Sequence, residues 1–273
     1  MLSDKNLRNI DMKQFFKMMF ASALGVFVAV GLISIVFVFT LIGIATSMSS
    51  TPEYTPKSNT VYKLTLDGNL SDNIQENPIA MLMGETDKTL SLKDILSTIQ
   101  TAKENKNIKG IYIEAKSLSA GSASLEAIRR ALTDFKESGK FVIAYSDNYS
   151  QGCYYLCSVA DKVFLNPQGT LGLVGMASQT MFYKELLKKV GIDMMIFKVG
   201  TYKGAVEPFM LDKLSDANRE QIQSYMSTIW DNVTSGIAES RNISTEDINN
   251  FANQGYAFAS AEKAVECKLV DEL

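Results

Sequence analysis

Lys203 sits in the run Val199-Gly200-Thr201-Tyr202-Lys203-Gly204-Ala205-Val206-Glu207-Pro208-Phe209, just after an apolar segment and between two glycines that let the backbone turn tightly. The chain has no histidine. Ser-His-Asp and Cys-His catalysis, His-ligated zinc and imidazole pH sensing are therefore excluded. A serine nucleophile in such a chain needs another base, and a lysine serves once burial populates its neutral amine. Lys203 is the candidate for that role, although spacing alone also fits a solvated surface lysine. Lys184, Lys188 and Lys189 fall on an amphipathic helical pattern and read as surface groups.

A second segment, Asn148-Tyr149-Ser150-Gln151-Gly152-Cys153-Tyr154-Tyr155-Leu156-Cys157-Ser158, follows the apolar run FVIAY at a strand-to-helix turn. Ser150 suits the N-cap of the short helix, where its oxygen accepts a backbone N–H. The three cysteines, Cys153, Cys157 and Cys267, match neither a disulfide framework nor a thiolate metal site. They read as small buried hydrophobes, with a Cys267 disulfide to one of the others left open in an exported domain. No cofactor-binding or metal-ligating set is expected.

The elements that must position these residues begin after an uncharged run from Met18 to Ser50. Its core, residues 18–45, exceeds the ~20 residues that a bilayer requires and is too long for a secretory h-region. It is expected to be a transmembrane anchor, with Lys5, Arg8, Lys13 and Lys17 in a cytoplasmic tail at residues 1–17. Residues 46–59 read as a tether, and residues 60–273 as the folded domain, outside the inner membrane in a bacterium. The net charge of −3 gives no footprint for a nucleic acid.

Within that domain the pattern predicts a strand at residues 61–66, a turn at Asp67-Gly68-Asn69 and an ambiguous stretch through Met83. A helix–strand rhythm follows: helix 92–103 capped by Ser91, strand 108–114, helix 125–138, strand 141–145, helix 152–160 and strand 162–165. Residues 117–124 and 166–175 read as loops. Beyond them come helix 182–190, extended residues 194–199, a long helix 216–241, and two short helices with a last extended turn in 244–273. Strands alternating with helices of this length give an α/β class with parallel crossovers.

The YSQG-YY segment, the following NPQGTLGLVG and the VGTYKGAVEPF run together resemble the N-terminal half of the long, two-repeat type of the SppA signal peptide peptidase (protease IV) family. The likeness covers nearly the whole chain. It implies a ClpP/crotonase-like α/β fold of repeated ββα units behind one transmembrane helix. It also implies a membrane-bound serine peptidase that degrades signal peptide remnants with a Ser-Lys dyad and assembles as a homo-oligomer. On this resemblance Lys203 matches the general-base lysine. The nucleophile does not carry over: Gln151 stands where the family's serine lies, in the turn Gln151-Gly152-Cys153-Tyr154. The resemblance places the serine in a second repeat, expected beyond Leu273, so that this chain supplies half of an active site. Ser146, Ser150, Ser158 and Ser178 are nearby hydroxyls that could substitute, and Gly152 is placed like an oxyanion donor. The small residues of 117–124 could admit an extended peptide or form only a solvated loop. The alternatives are a catalytically silent scaffold of the same fold and an acyl-CoA enzyme of the crotonase type, the latter disfavoured by the anchor.

Overall fold

The structure, a computed structural model, describes residues 12–49, 55–72, 74, 89–254 and 258–273. The expected basic tail up to Asp11, residues 50–54 of the expected tether and residues 75–83 of the ambiguous stretch lie outside the described residues, and residues 46–49 of that tether continue the helix that precedes them. The chain divides into two units, residues 1–55 and 56–273. Among its described residues the first carries one helix, α1 (Met12–Ser49), whose apolar span Gln14–Ile44 contains an 18-residue stretch of mean hydropathy 2.8. By length and composition that helix can cross a membrane.

The second unit is a six-stranded sheet with helices between its strands. The elements run β1 (Thr60–Ser71), β2 (Thr89–Ser91), α2 (Leu92–Glu104), β3 (Ile108–Ser119), α3 (Ser122–Lys136), β4 (Phe141–Tyr149), α4 (Gln151–Cys157) and β5 (Lys162–Leu171). After these come α5 (Lys184–Lys189), a 3₁₀ turn (Gly204–Val206), α6 (Glu207–Met210), α7 (Asp216–Arg241), α8 (Thr245–Asn253), β6 (Ala259–Ser260) and α9 (Ala261–Glu266). The sheet order is β2-β1-β3-β4-β5-β6, parallel except for the β5–β6 pair. This is the α/β class that the alternation predicts.

Alternation along the strands decides where the core lies. Ile111 and Ile113 of β3, Val142 and Ala144 of β4, and Val163 and Leu165 of β5 are fully buried. Against them pack the apolar stripes of the helices: Ile95 and Ile99 of α2, then Ile128, Leu132 and Phe135 of α3. Each such side chain contributes about 1.5–3 kcal/mol by leaving water. The alternate residues Tyr112, Ile143, Tyr145 and Phe164 face the other way and are only half-buried.

Several boundaries differ from the sequence pattern. The Asp67-Gly68-Asn69 turn is not a turn: β1 runs through it, and the pairing with β3 shifts register between Leu66 and Gly68. Gly68, at φ 114°, absorbs the irregularity. Likewise β3 and β5 extend to Ser119 and Leu171, into residues that read as loops, because parallel neighbours supply their hydrogen bonds. Helix 182–190 shrinks to the six residues of α5, and residues 194–199 belong to no strand. The long helix is Asp216–Arg241, as its pattern predicts, capped by Ser215 and ended by Asn242 in the left-handed region.

Candidate active site

Lys203 lies immediately before the 3₁₀ turn, exposed, and has no hydrogen-bond or ion-pair partner among the described residues. Gly200, at φ 96°, begins the turn that presents it. Gly204 allows close packing behind it: a Cβ there would stand 2.3 Å from Asn218 Cγ on α7. An open cleft of about 640 Å³ runs beside the amine, lined by Phe197, Val199, Tyr202, Ile222 and Tyr225 among others. Phe197 and Val199 are 86% and 88% exposed, so the apolar wall of the cleft belongs to a surface without a cover.

Below the turn lies a group that the sequence pattern contained but did not single out. Glu207 is fully buried, and its carboxylate accepts from the Ser215 backbone N–H at 3.1 Å, the Ser215 hydroxyl at 2.5 Å and Asn218 Nδ2 at 3.0 Å. Lys198 Nζ adds an ion pair at 3.5 Å. Burial pushes this carboxyl up, but the hydrogen bonds from Ser215 and Asn218 together outweigh it and hold the pKa down at about 2. The available signal was an acid followed by proline just before Ser215, whose S-x-x-N pattern starts a helix.

The second segment sits at the carboxyl ends of the parallel strands, the usual location of a site in such sheets. Ser150 caps α4, its oxygen accepting from the Cys153 N–H at 3.4 Å. Gln151, the first residue of the helix, reaches the loop after β5. Its Oε1 accepts from the N–H groups of Val174 and Gly175, each at 3.0 Å, and its Nε2 donates to the Gly175 carbonyl at 3.1 Å. A carboxamide can make all three bonds at once, because it carries an acceptor with two lone pairs and two donors.

The other hydroxyls are committed or remote. Ser146 is buried with its oxygen 2.7 Å from the carbonyls of Ala115 and Asn148. Ser158 is fully buried and accepts from Arg129 Nη1 at 2.8 Å. Ser178 lies on an exposed segment without regular structure. Neither these serines nor Gln151 lines the Lys203 cleft. Gly152 packs on Leu125, whose Cδ1 would lie 3.0 Å from an added Cβ. Tyr149, Tyr154 and Tyr155 are buried against the core. All three cysteines are free, Cys153 and Cys157 buried and Cys267 half-buried.

Arg129 was also invisible in the pattern. It is a buried cation under α4 and α7 that donates to the Tyr155 carbonyl at 2.5 Å and to Ser158, Gly236 and Ser240. Its guanidinium lies 4.8 Å from the Tyr155 ring centre. That network fastens the C-terminal part of α7 to the helix layer.

A family model described as "Peptidase family S49" matches residues 134–273, the half of the chain that holds both segments. The chain belongs to peptidase family S49. This S49 chain is 37% identical over 207 residues to Protease 4 of Haemophilus influenzae, covering 73% of this chain and 34% of that protein. It is 38% identical over 215 residues to Protease 4 of Salmonella typhi, covering 76% and 33%. A putative signal peptide peptidase SppA of Enterococcus faecium is 24% identical over 214 residues, covering 78% of this chain and 59% of that protein. The S49 chain thus spans about a third of the length of the Protease 4 relatives it matches.

Proposed function

We propose that this chain is the lysine-bearing part of a membrane-anchored Ser-Lys peptidase that degrades signal peptide remnants and other short apolar peptides. The observation that carries the reading is Lys203: an amine free of any ion pair among the described residues, raised on a glycine-flanked turn beside an uncovered apolar cleft. The nucleophile comes from a second S49 unit, the second repeat of the same protein, because Gln151 holds the matching position here. That unit docks over the turn and cleft, removes water from the amine and brings a serine to it.

The neutral Lys203 amine takes the serine proton as the oxygen attacks the peptide carbonyl. The resulting ammonium returns the proton to the leaving amine, leaving an acyl-enzyme. Water activated by the same lysine then releases the acid. The cleft beside Lys203, walled by Phe197, Val199, Tyr202, Ile222 and Tyr225, suits apolar side chains. Helix α1 anchors the chain in the inner membrane with its basic flank in the cytoplasm and the S49 domain outside, and the uncovered surface around Phe197 supports a homo-oligomer.

The test is Lys203→Ala in the complete protein, assayed on an apolar peptide. Loss of turnover supports the base, and full activity sinks it. A second reading, a silent scaffold that orients other subunits, is favoured by one observation: Gln151 Oε1 accepts from the Val174 and Gly175 N–H groups and so serves as a structural tie. A gene that stops at Leu273 and a purified product without peptidase activity would select it.

A further inference from the structure

We propose that Glu207 is a positioning residue for Lys203, acting through Asn218 and Gly204. The proposal rests on the reading of Lys203 as the base. The Glu207 carboxylate is fully buried four residues after Lys203, yet it faces away from the cleft into the junction between the turn and α7. There it holds both the cap of α7, through Ser215, and the first turn of that helix, through Asn218 Nδ2. The Ser215 hydroxyl oxygen in turn accepts from the Asn218 N–H at 3.2 Å.

The contact between Asn218 and Gly204 transmits this clamp to the base. Gly204 follows Lys203 directly, and it sits so close to the Asn218 carboxamide that a methyl group would not fit. Asn218 is therefore gripped by Glu207 on one side and forms the seat of the Lys203 turn on the other. The chain before the turn is tied in as well, since Lys198 pairs with the same carboxylate. A flexible four-carbon side chain can act as a base only if its Cα is fixed, because the amine must meet a serine within hydrogen-bond reach. The rest of the turn offers little fixation of its own: Thr201, Tyr202 and Lys203 are exposed, and among the described residues their one side-chain hydrogen bond is donated by Tyr202 Oη to Glu220 at 3.3 Å.

Glu207→Gln keeps the size of the group but turns one acceptor into a donor that faces the Ser215 and Asn218 donors. Two readouts on the complete, detergent-solubilised protein test the proposal. In Glu207→Gln, amide hydrogen exchange across residues 200–206 rises about tenfold while β3, β4 and β5 keep their protection. On an apolar fluorogenic peptide, kcat falls about 100-fold with KM little changed, the cost expected of a base displaced by about 1 Å. Glu207→Asp recovers part of the loss, which a merely structural defect would not do selectively in kcat. Asn218→Ala, which removes the seat but not the carboxylate, shifts both readouts in the same direction by about tenfold and decides the question if Glu207→Gln fails to fold. Unchanged exchange across 200–206 overturns the clamp, and unchanged kcat in Glu207→Gln beside an inactive Lys203→Ala overturns the positioning role. A fully active Lys203→Ala instead refutes the base assignment, and the exchange comparison still decides whether Glu207 holds the turn.

Discussion

The side-chain oxygen of Gln151 stands 3.0 Å from the backbone nitrogen of Gly175, and the same carboxamide donates back to the Gly175 carbonyl. With the second N–H, from Val174, the start of α4 is stitched to the loop after β5 by three bonds from one residue. A serine at this position could not span that gap, so Gln151 acts as a brace between α4 and the loop. Gln151→Ala is expected to leave Val174 and Gly175 without these partners and to lower stability by about 1–3 kcal/mol, read as a lower urea midpoint at constant slope. Gln151→Ser should lose the same amount. An unchanged midpoint in both would show that water replaces the carboxamide at no cost.

Arg129 gives a larger effect. Its guanidinium serves the buried Tyr155 carbonyl and Ser158 hydroxyl at α4 and the half-buried Gly236 carbonyl and Ser240 hydroxyl on α7. Arg129→Met is expected to destabilise the domain by about 3–5 kcal/mol, because two buried acceptors at α4 and two half-buried ones on α7 lose a charged donor together. Arg129→Lys should recover little, since an ammonium cannot reproduce the planar fork that reaches both helices. Thermal unfolding of the two variants checks this, and a lysine variant as stable as the parent would refute the geometric argument.

Much of this architecture was legible in the sequence because it is periodic. Ile111 and Ile113, or Ile128, Leu132 and Phe135, announce a strand and a helix by spacing alone, and Ser215 announces the start of α7. The strand through Asp67-Gly68-Asn69 was not legible, because its hydrogen bonds come from β3, some 50 residues on in the chain, and override the local turn preference. Lys203 could be singled out by its flanking glycines, and Glu207 had a local signal that was passed over, since its partners Ser215 and Asn218 follow it by 8 and 11 residues. Arg129 had none, because its partners Gly236 and Ser240 lie 107 and 111 residues on and no spacing rule encodes them.

The cysteines offer a check on the packing of α4. Burial pushes the Cys157 thiol well above its ordinary range, with Cys153 adding to the effect, so little thiolate is present to react. Maleimide at neutral pH is therefore expected to label the half-buried Cys267 first and to reach Cys153 and Cys157 only on unfolding. Mass mapping of the labelled peptides reads the order. Early labelling of Cys157 would mean that α4 opens in the native protein.

The last prediction concerns acid. The Glu207 carboxyl is held at about 2 in the folded protein against 4.5 for the free group. A carboxyl with a depressed folded pKa stabilises the fold fully above the free value, and this contribution disappears as pH falls from 4.5 through about 2. Asp271 behaves in the same direction: burial pushes it up, but Arg241 and the Val163 N–H outweigh that. Its contribution is common to the parent and to Glu207→Gln and cancels in their difference. The stability gap between the two proteins, from urea unfolding, should therefore be widest above pH 4.5 and should narrow steadily toward pH 2. A gap that stays constant over that window would mean that Glu207 titrates alike in the folded and unfolded chains, and that the hydrogen bonds from Ser215 and Asn218 do not favour its charged form.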